Sequence, residues 1–544
     1  MFSDIDLSGI QDEQARQLVV RLVNVIEDLS AELRDAQAET QRLRDEVRRL
    51  QGEQGQPKIR PHTPRSPRNY SSERERRQPK PRTKGTPRAP LVIHREETLS
   101  VDRTTLPSDA RFKGYEEVVV RDVLLRADNV RFRKEKFWSP TTRQTYLAPL
   151  PPGYRGQFGP GLRALTPTLY FGAGMSEPDI RALYAHAGLA ISAGQVSALL
   201  LHGQEALEAE EQAAWEAGLA VSPYQHIDQT GTRVDGQNQH CTIVCNPLAT
   251  HYHTTPSKDR LSVLEALRPG RPRRFRLNAE ALGQLEGVSM PRALRRQLAE
   301  VAGEGEWTEE ELVAWLDEGW PGLEETARQA VLSAAAVAAY HAEEDLPQVE
   351  VLVADDAPQF RGITPELALC WVHEGRHYKK LLPVFAHHLE LLEEFRGRFW
   401  AYYRELLAYR ERPDPAERAR LEEAFDRLFA TRTGYGALDA RMAKTRQNKA
   451  ALLLVLAHPE VPLHNNPAEL AARRRVRKRE VSYGPRTPEG VKAWDTLMSL
   501  LATARQLGIS FYRYLHDRLS QAHTLPPLAD TIRARAVERG WSAA

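Results

Sequence analysis

Apolar and small residues recur near the start of the chain at Val19, Leu22, Ile26, Leu29, Leu33, Ala36, Thr40, Leu43, Val47 and Leu50, in strict alternation of four and three. That spacing is a heptad seam, and charged residues such as Glu32, Arg34, Asp35, Arg44 and Glu46 fill the remaining positions. The helix it predicts is too polar to be buried in a globular core and is expected to pair with a second helix. Further on the period changes to two. Tyr224–Val234 reads as extended, Asp235-Gly236 as a turn, Gln239–Cys245 as a second strand, Asn246-Pro247 as another turn and Thr250–Thr255 as a third strand. The run Gln348–Ala354, with Val349, Val351 and Val353, predicts a strand that stops on Asp355-Asp356-Ala357-Pro358. A helix beginning near Ser257 would serve as a crossover, laying this fourth strand parallel beside the first and making Asp228 and Asp355 neighbours.

Caps and turns mark a helical pair. Ser176 precedes Pro178 and a run to His186, Gly188 marks the turn, and Ser192 caps a run through Leu201. The spacing is that of a helix-turn-helix, although any short helical hairpin needs the same signals. Between the seam and this pair, Glu117–Val120, Asn129–Arg133 and Thr145–Leu147 read as short strands, with Arg131, Arg133, Lys134, Lys136, Phe137 and Trp138 interleaving charge and rings.

These signals divide the chain into a coiled coil (1–52), a basic proline-rich linker (53–90), a small β-rich module (91–165) and a helix-turn-helix-like region (166–218). A core follows in two parts, 219–270 with 346–373 and then 459–518, interrupted by helical insertions at 271–345 and 374–458, with a C-terminal tail at 519–544. The fold class expected is α/β: a mixed sheet made of a three-strand meander plus parallel strands, with helical insertions.

Composition narrows the setting. Three cysteines in 544 residues exclude a disulfide framework and suit a reducing cytosol. No apolar run is long enough to span a bilayer, and the start lacks the basic and apolar regions of a secretion signal, so a cytoplasmic protein without a membrane partner is expected. The net charge of +2 conceals asymmetry: residues 51–90 hold eleven lysines and arginines against three glutamates, alongside eight prolines. Such a stretch cannot form a core, and beside DNA it would add non-specific affinity by releasing counterions.

The candidate chemistry rests on three acids. Asp355 stands at the carboxyl end of a strand, where ligands and metal ions are commonly met, and Asp228 would lie beside it. The third is Glu469 in His464-Asn465-Asn466-Pro467-Ala468-Glu469. This motif also has a purely local explanation, with Asn466 as N-cap, Pro467 at the first helical position, Glu469 reaching back to the cap and Arg473 pairing with it. The cations that follow, Arg473, Arg474, Arg475, Arg477, Lys478 and Arg479, favour a metal at the helix start and phosphates alongside. Cys370 and His373, one helical turn apart, could ligate zinc, but two ligands make no site. Cys241 and Cys245, roughly 13 Å apart on a strand, cannot complete it. A packed cysteine and a hydrogen-bonded histidine are the simpler expectation.

Asp228-Gln229-Thr230-Gly231, Asp355 with Phe360, Cys370-Trp371-Val372-His373 and Asn465-Asn466-Pro467-Ala468-Glu469 with Arg473 together resemble the bacterial transposase family known as insertion sequence sixty-six. That family is a branch of the DDE transposases. The resemblance, which runs from about Leu91 to Arg518, implies a ribonuclease-H-like core in which Asp228, Asp355 and Glu469 bind two Mg²⁺ or Mn²⁺ ions, with Asp356 the alternative ligand if the register differs by one. Cys370, His373, Asn465 and Asn466 would support the motif. It further implies cleavage at transposon ends and strand transfer into target double-stranded DNA by a homo-oligomer assembled through the coiled coil. Residues 91–165 contain no cysteine, so the zinc module common in the family is implied in a metal-free version, and His464 replaces the usual acid before the paired asparagines. Two other functions compete with this one: a non-catalytic dimeric DNA-binding relic, and a structure-specific nuclease that cuts without joining.

Overall fold

The computed structural model describes residues 12–50 and 93–541, except 103, 104, 124, 269 and 304, so the proline-rich linker at 53–90 lies outside the described residues. The heptad pattern forms one helix, Glu13–Leu50. Its seam stays open, with Leu22, Leu29, Leu33 and Leu43 each more than half exposed. A different edge of the helix touches the rest of the chain. There the buried Glu27 carboxylate accepts hydrogen bonds from the Val384 and Phe385 amides at 2.8–3.1 Å and lies 3.2 Å from His388 Nδ1. The helix Ala386–Glu411 has no side-chain N-cap of its own, and Glu27 supplies the anion that its orphan amides and positive dipole end call for.

Among the described residues, nine strands form three sheets. β1 (Lys136–Ser139) and β2 (Gln144–Leu147) make an isolated hairpin. The central sheet contains β3 (Gln225–Val234), β4 (Gln237–Cys245) and β5 (Thr250–Thr255), while β6 (Phe275–Arg276) and β7 (Glu306–Trp307) pair separately. β8 (Val351–Ala354) and β9 (Glu366–Leu369) complete the central sheet, whose order is β5-β4-β3-β8-β9. The meander β3-β4-β5 is antiparallel, and β8 and β9 run parallel to β3. Asp235 and Gly236, both at positive φ, close the β3–β4 hairpin as a two-residue turn of this kind requires. Asn246 Oδ1 ties the next corner by accepting from the Leu248 and Ala249 amides at 2.8 and 2.9 Å.

Helices cover the sheet. Arg260–Leu267 packs on β4 and β5, Asn466–Ser482 crosses β3 and β4, and Pro488–Gln506 lies along β5. The alanine-rich helix Glu325–His341, at the end of the 271–345 segment, is part of this main core, with Val331, Ala335, Val337 and Ala338 fully buried. The 374–458 segment builds a second core of its own from rings, including Phe395, Phe399, Tyr403, Phe425 and Phe429 packed with Trp371. The expected tail at 519–544 instead holds the helix Leu528–Glu538, which buries Leu528, Ile532 and Ala536 against Glu205–Val221.

One expectation needs correction. Glu117–Val120 and Asn129–Arg133 form no strands, and Val118, Val120 and Val130 stay more than half exposed. Their β propensity is not realised because no neighbouring strand takes up their backbone groups. The helical pair Glu177–His186 and Ala193–Leu201 forms with capping boxes at Ser176 and Ser192 as read. Its second helix, however, holds no lysine or arginine, and Ser197 is hydrogen bonded to Glu177 on the first, so its surface is poorly suited to reading DNA.

Candidate metal centre at the sheet mouth

β3 pairs with β8 through Gln225↔Leu352 and His226↔Val353, and continuing that register brings Asp228 level with Asp355. β8 pairs with β9 through Ala354↔Leu369, which brings Cys370 level with Asp355 on the other side. The Cys370 amide donates to Ala354 O at 2.9 Å. Asp228, Asp355 and Cys370 therefore stand in a row across three parallel strands.

Glu469 reaches this row by tertiary contacts. Asn465 Nδ2 donates to Ile227 O at 2.6 Å, one residue before Asp228, and its Oδ1 lies 3.1 Å from His226 Nδ1. The Asn465 amide also points at Cys370 Sγ, 3.2 Å away, so one residue fastens the start of the helix to β3 and to the end of β9. Burial above all pushes His226 down to about 3, so the ring is neutral and its Nδ1–H donates to Asn465. The local explanation of the motif does not hold. Asn465, not Asn466, is the N-cap, its side chain makes no capping bond, and Glu469 Oε2 accepts from Arg376 at 2.9 Å. Glu469 Oε1 is buried without a hydrogen-bond partner, 3.6 Å from His373 Nε2.

A second link positions the aspartates. Asp228 Oδ1 accepts from the Gln229 amide at 2.8 Å, and the Gln229 side chain bonds Thr242 at 2.8 Å and Gln359 at 3.0 Å, in the turn after Asp355. Asp355 Oδ1 accepts from the Ala357 amide at 3.1 Å. Burial, joined by the charges of Asp355 and Glu469 and opposed by the Gln229 amide, pushes the Asp228 carboxyl up to about 7. Asp356, the alternative ligand, is engaged elsewhere. One of its oxygens is ion-paired with Arg361, and the other accepts from Asn448 at 3.0 Å.

Cys370 and His373 gain the third partner that spacing alone did not reveal. Ligand atoms of Cys370, His373 and Glu469 lie within 4.8 Å of one another. Arg376 donates to His373 Nε2 at 2.9 Å, which assigns the ring proton to the buried, unpartnered Nδ1. Gln359 and Arg376 were not singled out from sequence, and Gln229 appeared only as part of the Asp228-Gln229-Thr230-Gly231 motif; their partners identify all three.

The cation cluster divides in two. Arg473, Arg474 and Arg477 are exposed, and the partly buried Arg479 bonds Gly231 O. Arg475 and Lys478 are buried and leave the DNA-facing set. Arg475 pairs with Asp495 at 3.0 Å under Trp494, and Lys478 donates to Met175 O at 2.8 Å over the Tyr170 ring. Burial lowers Lys478 to about 7. Among the described residues no helix is long and apolar enough to cross a membrane.

The fold and site define an α/β protein with three carboxylates and a Cys–His pair at one sheet mouth. The chain belongs to the Transposase IS66 family, which it matches over residues 338–493. It is also 34% identical over 323 residues to the uncharacterized protein y4jO of Sinorhizobium fredii (strain NBRC 101917 / NGR234), covering 59% of this chain and 99% of that protein.

Proposed function

We propose that the chain is a DDE-type DNA transposase with a ribonuclease-H-like core, in which Asp228, Asp355 and Glu469 hold two Mg²⁺ or Mn²⁺ ions. The observation that carries this reading is the convergence of the three acids: two are level on adjacent parallel strands, and the third is pinned to the same strand through Asn465. The antiparallel meander extended by two parallel strands supports the core assignment. The donor set fits hard dications, being all carboxylate, with a buried Glu469 oxygen lacking a partner and an Asp228 carboxyl that burial and then the charges of Asp355 and Glu469 push up to about 7. When bound, such ions activate the attacking oxygen and stabilise the leaving one. The chain's own part is positional. Asn465 and the Gln229–Gln359 bond hold the acids in place, Arg376 occupies Glu469 Oε2 so that Oε1 is left for ligation, and Asp228 releases its proton to solvent as charge is neutralised.

DNA would be held by exposed cations. Replacing Arg473, Arg474 and Arg477 together with alanine is expected to weaken binding to all sequences alike and to flatten its salt dependence by roughly one unit for each phosphate no longer neutralised. Titration of a labelled duplex at several salt concentrations measures this, and an unchanged slope would move the DNA to another face. Assembly would run through the exposed seam. Lysine at Leu22 and Leu29 is expected to lower the oligomeric state in sedimentation while Glu27, on the other edge, keeps the helix docked. Identical sedimentation of both proteins would mean the seam is not an interface.

The direct experiment incubates the full chain and Mn²⁺ with the DNA ends flanking its own gene. Nicked ends followed by joined products are expected. Absence of cleavage overturns the reading, and cleavage without joining replaces it with a nuclease.

A further inference from the structure

We propose that Cys370, His373 and Glu469 form a second site, for a thiophilic divalent ion such as Zn²⁺, that shares Glu469 with the catalytic carboxylates. Three kinds of donor meet there from two elements distant in sequence. Cys370 is the N-cap of Trp371–Lys380, His373 lies one turn into that helix, and Glu469 arrives on Asn466–Ser482, with the ligand atoms within 4.8 Å of one another. A thiolate, an imidazole and a carboxylate are the donor set of a borderline-soft ion, whereas Mg²⁺ takes oxygen alone.

One detail shows that the carboxylate is not satisfied by packing: Glu469 Oε1 is buried without a hydrogen-bond partner, 3.6 Å from the His373 Nε2 that would share the ion, and a buried carboxylate oxygen left unmatched is costly. Protein cations meet only part of this demand. Arg376 reaches the other carboxylate oxygen and His373 Nε2 at 2.9 Å each, but its side chain is 46% exposed and can turn to solvent when an ion takes those lone pairs. Cys370 Sγ accepts from the Asn465 amide at 3.2 Å, but burial outweighs that contact and pushes the thiol up to about 11, so an incoming ion has to displace its proton.

Ligation is a proton-for-metal exchange. The Cys370 S–H proton leaves to solvent as the metal–sulfur bond forms, His373 gives the Nε2 lone pair, and Glu469 gives Oε1. The two negative ligands balance the dication, and three protein donors leave one tetrahedral position for water. Binding there would withdraw Glu469 from the carboxylate triad, so Zn²⁺ would inhibit Mg²⁺-supported strand transfer. This consequence, unlike the binding itself, rests on the transposase reading.

Co²⁺ alone, added to the full chain, is the probe, because a thiolate bound to it gives a near-ultraviolet charge-transfer band. One equivalent is expected to produce that band. Cys370→Ser, which keeps an acceptor for the Asn465 amide, should abolish it, and His373→Gln should weaken Co²⁺ affinity by roughly tenfold or more. Far-ultraviolet circular dichroism of each variant reports its fold, and His373→Gln provides a second arm if Cys370→Ser does not fold. No band with the wild-type chain overturns the inference. So does a band of full strength in Cys370→Ser, which would assign it to Cys241 or Cys245, or unchanged affinity in His373→Gln. A Co²⁺ band without any strand transfer upholds the site while removing the transposase reading. Mn²⁺-dependent strand transfer without a Co²⁺ band does the reverse.

Discussion

Asp355→Asn is expected to leave the fold intact and to lower cleavage and strand transfer on the order of 10³-fold, with duplex binding retained. The amide has the shape of the acid, and its Oδ1 still accepts from the Ala357 amide. What it lacks is the negative charge that would hold a dication beside Asp228. Asp228→Asn should behave alike in activity and adds a pH signature. The Asp228 carboxyl is pushed up to about 7 in the fold, so its favourable contribution is complete below the ordinary carboxylate value and is lost as pH rises through about 7. Without divalent ions, Asp228→Asn should therefore melt like the wild-type chain near pH 4 and be the more stable protein near pH 8, by on the order of 2–4 kcal/mol. Added Mn²⁺ should raise the wild-type melting temperature and not that of either variant. Full activity of Asp355→Asn would end the metal mechanism as assigned.

Arg475→Ala is the second large effect, and it acts on folding. The guanidinium is buried, bonded to Asp495 at 3.0 Å and Thr254 at 2.9 Å, and stacked 4.9 Å from the Trp494 ring. Truncation leaves Asp495 without its cation inside the core and opens a cavity, a loss of about 3–5 kcal/mol. Arg475→Lys should recover only part of this, because one ammonium cannot serve a carboxylate, a hydroxyl and a ring at once. Arg474→Ala, one residue away and exposed, should change stability by less than about 0.5 kcal/mol. Urea unfolding of the three variants makes the comparison. A fully stable Arg475→Ala that binds DNA poorly would return this arginine to the DNA surface.

Much of what depends on neighbours in the chain was legible from residue order, although the Glu469 helix starts one residue earlier than its Asn466-Pro467 signal indicates. Alternation and the Asp235-Gly236 turn marked the meander to within two residues at every strand end, because hairpin pairing is local and the turn sets its register. Ser176 and Ser192 marked two helix starts because a cap and its partner amide are three residues apart. The seam at Leu22, Leu29 and Leu43 was visible because a helix repeats its face without help from the rest of the fold.

Pairing across long separations was decided only by the tertiary structure. β9 was missed because Glu366–Leu369 is four residues long and is a strand only where β8 lies beside it. The Val118–Val120 run has the better β composition and no such neighbour. Arg475 and Arg474 look alike in sequence, yet packing against β5 and Trp494 buries one and leaves the other in water. Glu469 had a complete local explanation as a capping residue. Its actual partners, Arg376 and His373, lie more than ninety residues earlier, and Asn465 holds its helix to a strand still further back. Periodicity and capping are properties of a segment's own backbone, whereas the environment of a side chain is created by whichever distant segment packs against it.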